Sequence, residues 1–478
     1  MAFFQEIPTG FADPARARAH DFGAHHIHRR AKMNVNPTSQ VRPVVLSMAA
    51  ALALAACGGG SSDTPAAAFG FDTSGAEKHI LITPGESNVI SKWNEIAVQT
   101  AAVASSPGGA TPEERVAGPD VTTMQLAVYD AVIAIAGTHK PYAIKPTTAV
   151  AGAGEDAMKA AAVEAAYRVL KGLFPSRGSV YEAAYTSDMS AIADGDAKAL
   201  GRQAGLEVAS GMLALRANDG RETALPPYVP GTLPGQFRGT NPVNRIAPYI
   251  KPFTTHSHSQ FRVAEPYSIQ SEAYAGDFIE VKAIAGPTST SRTALQTEIA
   301  RFHTEPPGSF WARNLRQFAT ASSNIADNAR VLAMLWTAQS DAGGACFESK
   351  YFYNFWRPTS AIQLAGTDDN ALTLADPAWL PFVATPNHPE YPAAHGCASA
   401  SAMEALRSFY GSKNLEFDFT STVTGSTHHF RQTEDVLEEV RNARVWGGMH
   451  FRTSTEVGVE QAKNVTAWMT QRYFRPAD

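Results

Sequence analysis

Basic and histidine side chains are concentrated at three places in the C-terminal half of this 478-residue chain, and their spacing suits the capture of a small oxyanion. In the first, Ser340-Asp341-Ala342-Gly343 leads to Lys350 and then to Phe355-Trp356-Arg357-Pro358. On one continuous helix, Lys350 and Arg357 would share a face roughly 10 Å apart along the axis, and long side chains can converge from there on one anion. Pro358 would end that helix with Arg357 at its last position. Lysine offers a point charge, and arginine a planar fork matched to oxyanion oxygens. Two solvated charges would be the plainer account, but Tyr351, Phe352, Phe355 and Trp356 give this face a buried character.

The second segment, Asn387-His388-Pro389-Glu390-Tyr391-Pro392-Ala393-Ala394-His395-Gly396-Cys397, runs into small residues and then Met403, Leu406, Phe409, Tyr410 and Gly411, the pattern of a helix with a glycine stop. His395 thus stands at a helix N-terminus, where free N–H groups favour an anion and a histidine could exchange protons with it. A single histidine at a helix start is more often structural. The third segment is Arg444-Val445-Trp446-Gly447-Gly448-Met449-His450. Leu437 and Val440 place Arg444 on an apolar stripe, so it needs an anionic partner, whether a carboxylate or a bound ion. Gly447 and Gly448 break the helix, Thr453 and Glu456 read as a capping box for the next one, and His450 falls in the corner between them.

The elements that must carry these residues are helical. Val89, Trp93, Ile96 and Ala97 recur at helical spacing, as do Met124, Ala127, Val128, Ala131, Val132 and Ile135. An alanine-rich helix from Ala157 to Leu173 stops at Pro175, helices resume at Ser271 after a Pro- and Gly-rich connector over 218–268, and Ile325, Ala329, Leu332 and Trp336 form a further stripe. Stretches of period two are lacking, so the fold class is all-α with scarce strands. The expected organisation is a leader over 1–57, a tether over 58–85 and a helical catalytic domain over 86–478, whose halves are 86–235 and 236–478.

In order, the three segments read K-x6-RP, P-x-x-H and R-x5-H. This resembles the signature of the superfamily that unites vanadium-dependent haloperoxidases with type 2 phosphatidic acid phosphatases. Ser340-Asp341-Ala342-Gly343 ahead of Lys350, with His450-Phe451-Arg452 at the end, is closer to the bacterial haloperoxidase branch. The resemblance extends from about Val89 to Tyr473. It implies a large helical-bundle domain and a vanadate cofactor bonded to a ring nitrogen of His450. Lys350, Arg357, Arg444 and the backbone N–H of Ala394 would hold the vanadate oxygens, and His395 would act as acid and base. Hydrogen peroxide, a halide and an organic acceptor would be the substrates. In the phosphatase branch His450 would instead be a nucleophile for a phosphoryl group. A third possibility is an inactive oxyanion-binding surface lipoprotein. Two positions depart from the family pattern: Ala393-Ala394 replaces Ser-Gly before the acid–base histidine, and Ser454 replaces the Asp four residues after His450, leaving ring orientation to a hydroxyl. His388 resembles the histidine of algal bromoperoxidases rather than the phenylalanine of the fungal chloroperoxidase, which leans the halide preference to bromide.

The composition, 44% hydrophobic and 18% charged, is that of a globular protein, and a formal net charge of −5 argues against a general nucleic-acid partner. Near the N-terminus an apolar run ends in Leu54-Ala55-Ala56-Cys57-Gly58, which resembles a lipoprotein signal. That implies lipidation at Cys57, membrane attachment by the lipid alone, and export to the periplasmic side or the cell surface as an outer-membrane lipoprotein. Cys346 and Cys397 would then remain, either paired or as buried thiols. His256/His258 and His428/His429 read as loop residues, because no set of ligands at metal spacing accompanies them. Oligomeric state is not legible.

Overall fold

The computed structural model describes residues 78–104, 116–148 and 151–477. The leader, Cys57 and the tether up to residue 77 lie outside the described residues. Five helices make the N-terminal half: α1 (Val89–Ala104), α2 (Ala117–Ala136), α3 (Glu155–Leu173), α4 (Gly178–Ser190) and α5 (Asp196–Arg216). After the irregular connector come α6 (Glu272–Ile284), α7 (Ala294–Phe302), α8 (Pro307–Leu315), α9 (Ile325–Tyr353) and α10 (Pro358–Gln363). The chain closes with α11 (Ala394–Tyr410), α12 (Thr433–Trp446) and α13 (Arg452–Arg472). The fold is all-α in class, with a small sheet in which β1 (Ile80–Leu81) runs parallel to β2 (Leu415–Thr420) and β3 (Thr427–Phe430) runs antiparallel to β2.

The 29-residue α9 joins the two halves, packing against α2 on one side and against α11 and α13 on the other. Ile325, Ala329, Leu332 and Trp336 are all buried along it, as their spacing requires. Thr122 Oγ1 of α2 meets Ser340 Oγ at 2.7 Å, and Gln461 Nε2 of α13 donates to Ala345 O at 3.1 Å and Ser349 Oγ at 3.0 Å. The buried Asp341 carboxylate accepts the N–H groups of Phe253 and Thr254, both at 2.7 Å, which fastens the connector to the same helix. A buried carboxylate needs such donors to remain in an apolar setting.

Four local expectations are corrected. Lys350 and Arg357 do not share a helix: α9 ends at Tyr353, Asn354 takes a left-handed conformation with φ 49°, and Arg357 precedes the first turn of α10. The connector draws the chain out there, with Phe237 N donating to Asn354 O at 2.8 Å and Trp356 N to Gly235 O at 2.9 Å. Thr453 and Glu456 form no capping box, since α13 already begins at Arg452 and the Thr453 N–H goes to Asp277 Oδ2 at 2.9 Å. Strand β1 lies within the 58–85 stretch read as tether, held by its pairing with β2. Of the four histidines read as loop residues, His428 and His429 stand in β3, and His258 starts a short 3-10 turn in which its buried Nε2 meets Ile250 O at 2.7 Å.

Gly458 sets how closely α13 approaches the start of α11, because a Cβ there would lie 2.6 Å from the Ala393 carbonyl oxygen. Backbone cannot yield as a flexible side chain does, so Gly458→Ala should lower the unfolding free energy by about 1–3 kcal/mol in denaturant titrations. Unchanged stability would contradict this close crossing.

Candidate active site

Arg357 is the hub of the site. Nε donates to His388 O at 2.8 Å, Nη1 to Met449 O at 2.7 Å and to His450 Nε2 at 2.9 Å, and Nη2 to His388 Nδ1 at 2.9 Å. The second and third segments are therefore bound to one guanidinium carried by the first. Burial pulls its pKa down to about 10, still far above neutrality, so the charge remains.

His450 occupies the corner between α12 and α13, where Gly448 turns the chain with φ 81°. The ring is fully buried, and Nδ1 lies 2.9 Å from Glu390 Oε1, which also accepts the Phe451 N–H at 3.0 Å. A carboxylate at Nδ1 fixes the proton there and leaves the lone pair at Nε2. Arg357 approaches that lone pair. Burial and the charges of Arg357, Lys350 and Arg444 hold the imidazole neutral, well below the usual histidine range. Glu390, rather than Ser454, therefore meets the His450 ring. The Ser454 hydroxyl faces Glu390 O at 3.4 Å, and the orienting carboxylate comes from another segment. Glu390 was in view in the sequence between two prolines, but nothing in its spacing revealed a role. Burial pushes its carboxyl up to about 7 against the pull of Lys350 and Arg357.

Lys350, one turn before the end of α9, is fully buried and donates to Pro389 O and Glu390 O, both at 2.9 Å. Burial lowers its pKa to about 8. Arg444 is differently placed. Nη1 donates to His303 O at 3.2 Å, while the buried Nε and Nη2 have no hydrogen-bond partner among the described residues. Burial first, and the Arg357 charge second, draw its pKa down to about 9. Two orphaned charged donors in a buried place are costly, and an anion would satisfy them.

Arg444 lines a cavity of ≈ 780 Å³ together with His388, Ala394 and His395. Ala394 is the first residue of α11, so its N–H has no carbonyl of its own helix to bond. His395 follows it, and burial with the charges of Arg444, Arg357 and Lys350 nearby keeps its ring neutral. Of the five predicted side chains, His395 and Arg444 line this cavity, while Lys350, Arg357 and His450 are joined to one another through Glu390 and the Arg357–His450 bond, and the charges of Lys350 and Arg357 reach the His395 ring. His303, not anticipated from sequence, adds a link from there to the surface: its Nε2 lies 2.8 Å from Glu439 Oε1, which meets His428 Nδ1 at 2.7 Å, and His428 Nε2 meets Glu298 Oε2 at 2.8 Å. Cys346 and Cys397 are free, buried thiols rather than a disulfide.

Residues 330–478 match the VCPO second helical-bundle domain family. The C-terminal part of this chain is similar to that helical bundle. Vanadium chloroperoxidase of Curvularia inaequalis is 32% identical over 103 residues, which cover 20% of this chain and 17% of that relative. A bacterial vanadium-dependent iodoperoxidase structure superimposes with a TM-score of 0.65 at 20% identity, over 83% of this chain and 100% of that one. The apo form of a bacterial vanadium-dependent chloroperoxidase gives 0.60 at 15% identity, over 74% and 93%. These structural likenesses show that the haloperoxidase fold extends into the N-terminal half, beyond the residues matched by the family.

The orphaned donors of Arg444 and the cations beside it fit a tetrahedral oxyanion such as vanadate. Orthovanadate should therefore raise the melting temperature in proportion to its occupancy. Arg444→Met should keep or raise the stability of the oxyanion-free protein while removing most of that rise; an undiminished response would show that Arg444 does not meet the anion. Because the depressed Lys350 pKa leaves this side chain charged only below about 8, vanadate affinity should be full below that pH and fall above it. Lys350→Met should abolish this limb in a titration of affinity against pH.

Proposed function

We propose that the chain is a vanadate-dependent haloperoxidase that uses hydrogen peroxide to oxidise halide to hypohalous acid. The observation that carries this reading is His450, with Nδ1 pinned by Glu390 and Nε2 facing Arg357 Nη1 at 2.9 Å, beside an Arg444 that has two unpartnered donors among the described residues. His450 Nε2 would be the ligand atom. Lys350, Arg357, Arg444 and the Ala394 N–H would hold the oxygens, and bound vanadate would supply Lewis-acid activation of peroxide. Fixed cations in a desolvated pocket stabilise such an oxyanion far better than water-exposed ones. His395, neutral and facing the cavity, can take a proton from peroxide and return it as water leaves. The net change is H2O2 + X⁻ + H⁺ → HOX + H2O.

His388 holds Arg357 and faces the cavity, so it is the residue to which we assign the preference for bromide. We also read the chain as exported and anchored through Cys57. Labelling with tritiated palmitate should disappear in Cys57→Ser, and persistent label would rule out that anchor.

Purified protein should brominate a soluble phenol only when peroxide, bromide and orthovanadate are all present. His450→Ala should abolish this while sparing the circular dichroism spectrum, and Glu390→Gln should cost about 10–100-fold in activity by freeing the ring. Phosphate release from a chromogenic ester, inhibited by vanadate and without bromination, would instead assign a phosphatase with a His450 nucleophile. Neither activity would leave an oxyanion-binding lipoprotein.

A further inference from the structure

Two buried thiols stand beside the site without a part in it. Cys346 lies on α9 one turn before Lys350, and Cys397 lies on α11 just after His395. The helices pack closely here: Gln339 Nε2 of α9 donates to Ala398 O of α11 at 3.4 Å, and Cys346 Sγ donates to Pro392 O, just ahead of α11, at 3.8 Å. The two thiols also hydrogen-bond to each other, so the sulfurs face one another across the α9–α11 contact, and Cys397 Sγ lies 3.8 Å from Gln461 Oε1 of α13.

Their access and their chemistry differ. Both are closed to bulk solvent, yet Cys346 lines the ≈ 780 Å³ cavity with His395 and Arg444, and Cys397 is not part of that wall. A small solute that enters the cavity meets the Cys346 sulfur first. Burial works against a thiolate at Cys346, but the bonded Cys397 thiol and the Lys350 ammonium bring its pKa below the usual range. Burial, and then the neighbouring Cys346 sulfur, push the Cys397 thiol well above that range. The thiolate is the form that attacks an oxidant, so the reactive sulfur is also the accessible one.

We propose that Cys346 and Cys397 are a peroxide-reactive thiol pair, in which Cys346 is oxidised from the cavity and Cys397 then closes a disulfide that ties α9 to α11. In the first step the Cys346 sulfur attacks hydrogen peroxide. An S–O bond forms, the O–O bond breaks, and the departing hydroxide takes the thiol proton and leaves as water, with a sulfenic acid at Cys346. In the second step the Cys397 sulfur attacks that sulfenic sulfur. The S–S bond forms, the S–O bond breaks, and hydroxide leaves as water with the Cys397 proton. The sum is 2 RSH + H2O2 → RS–SR + 2 H2O, in which sulfur is oxidised and peroxide oxygen reduced. The bridge joins the two helices that carry Lys350 and His395. It needs neither vanadate nor halide, so it stands apart from the haloperoxidase reading.

The test uses the full chain, reduced, freed of vanadate and treated with hydrogen peroxide, then unfolded in N-ethylmaleimide and digested for mass spectrometry. Unfolding lets the maleimide report both thiols whatever their burial. The peptides of Cys346 and Cys397 should lose their maleimide adducts and appear as one linked pair, which dithiothreitol reverses. The oxidised protein should melt a few degrees higher, because the bridge closes a long loop. In Cys397→Ala, dimedone present with the peroxide should label Cys346, whereas in Cys346→Ala the Cys397 thiol should remain open to maleimide. Full maleimide labelling of both thiols in the peroxide-treated wild type, sulfinic acid at Cys346 without a linked pair, or linkage of either thiol to Cys57 would overturn the pair. Oxidation of Cys397 in Cys346→Ala at the wild-type rate would overturn Cys346 as the point of entry. Bromination is read separately with vanadate: its absence beside a linked pair would sink the haloperoxidase reading alone.

Discussion

Lys350, Arg357 and Arg444 are each buried to within a few per cent, and the carboxylate that reaches their cluster is Glu390, itself raised towards neutrality. Desolvating cations without matching anions is expensive, and much of the local architecture responds to that expense. Lys350 is compensated by two carbonyl dipoles and Arg357 by carbonyls and histidine nitrogens, while two donors of Arg444 have no partner among the described residues. The cluster is thus an incomplete charge arrangement, stable enough to form and biased towards a multiply charged guest. The neutral imidazoles follow from the same field, since each further proton would add to an excess of positive charge.

Helix packing holds this unfavourable arrangement in place. Contacts of α9 with α2, α11 and α13 fix Lys350, the glycine crossing between α11 and α13 fixes His395, and the bonds from Glu390 to His450 and Phe451 tie the second segment to the third. A site made from side chains on rigid elements loses little freedom when a guest arrives, and that preorganisation is what a binding or catalytic centre requires.

Much of this was legible in the sequence. Apolar periodicity marked α2, α9 and α11, and the basic and histidine residues were separated by glycine and proline stops that located them at helix ends. The breaks in legibility have physical causes. The end of α9 at Asn354 depends on backbone bonds from the connector, more than a hundred positions away, which no local propensity reports. Glu390 acquires its role only from its proximity to His450, 60 residues distant in the chain. Ser454 misled for the converse reason: a carboxylate from another segment meets the ring, and a position-by-position comparison registers only the loss.

The left-handed residue Asn354 carries a wider implication. Because it places Lys350 and Arg357 on separate elements, the two cations respond to different parts of the protein. Lys350 moves with the long helix, whereas Arg357 moves with the junction to which Gly235 and Phe237 are bonded. Drift in the connector can therefore retune the geometry around an imidazole while the bundle stays rigid, so that selectivity and stability are free to vary independently.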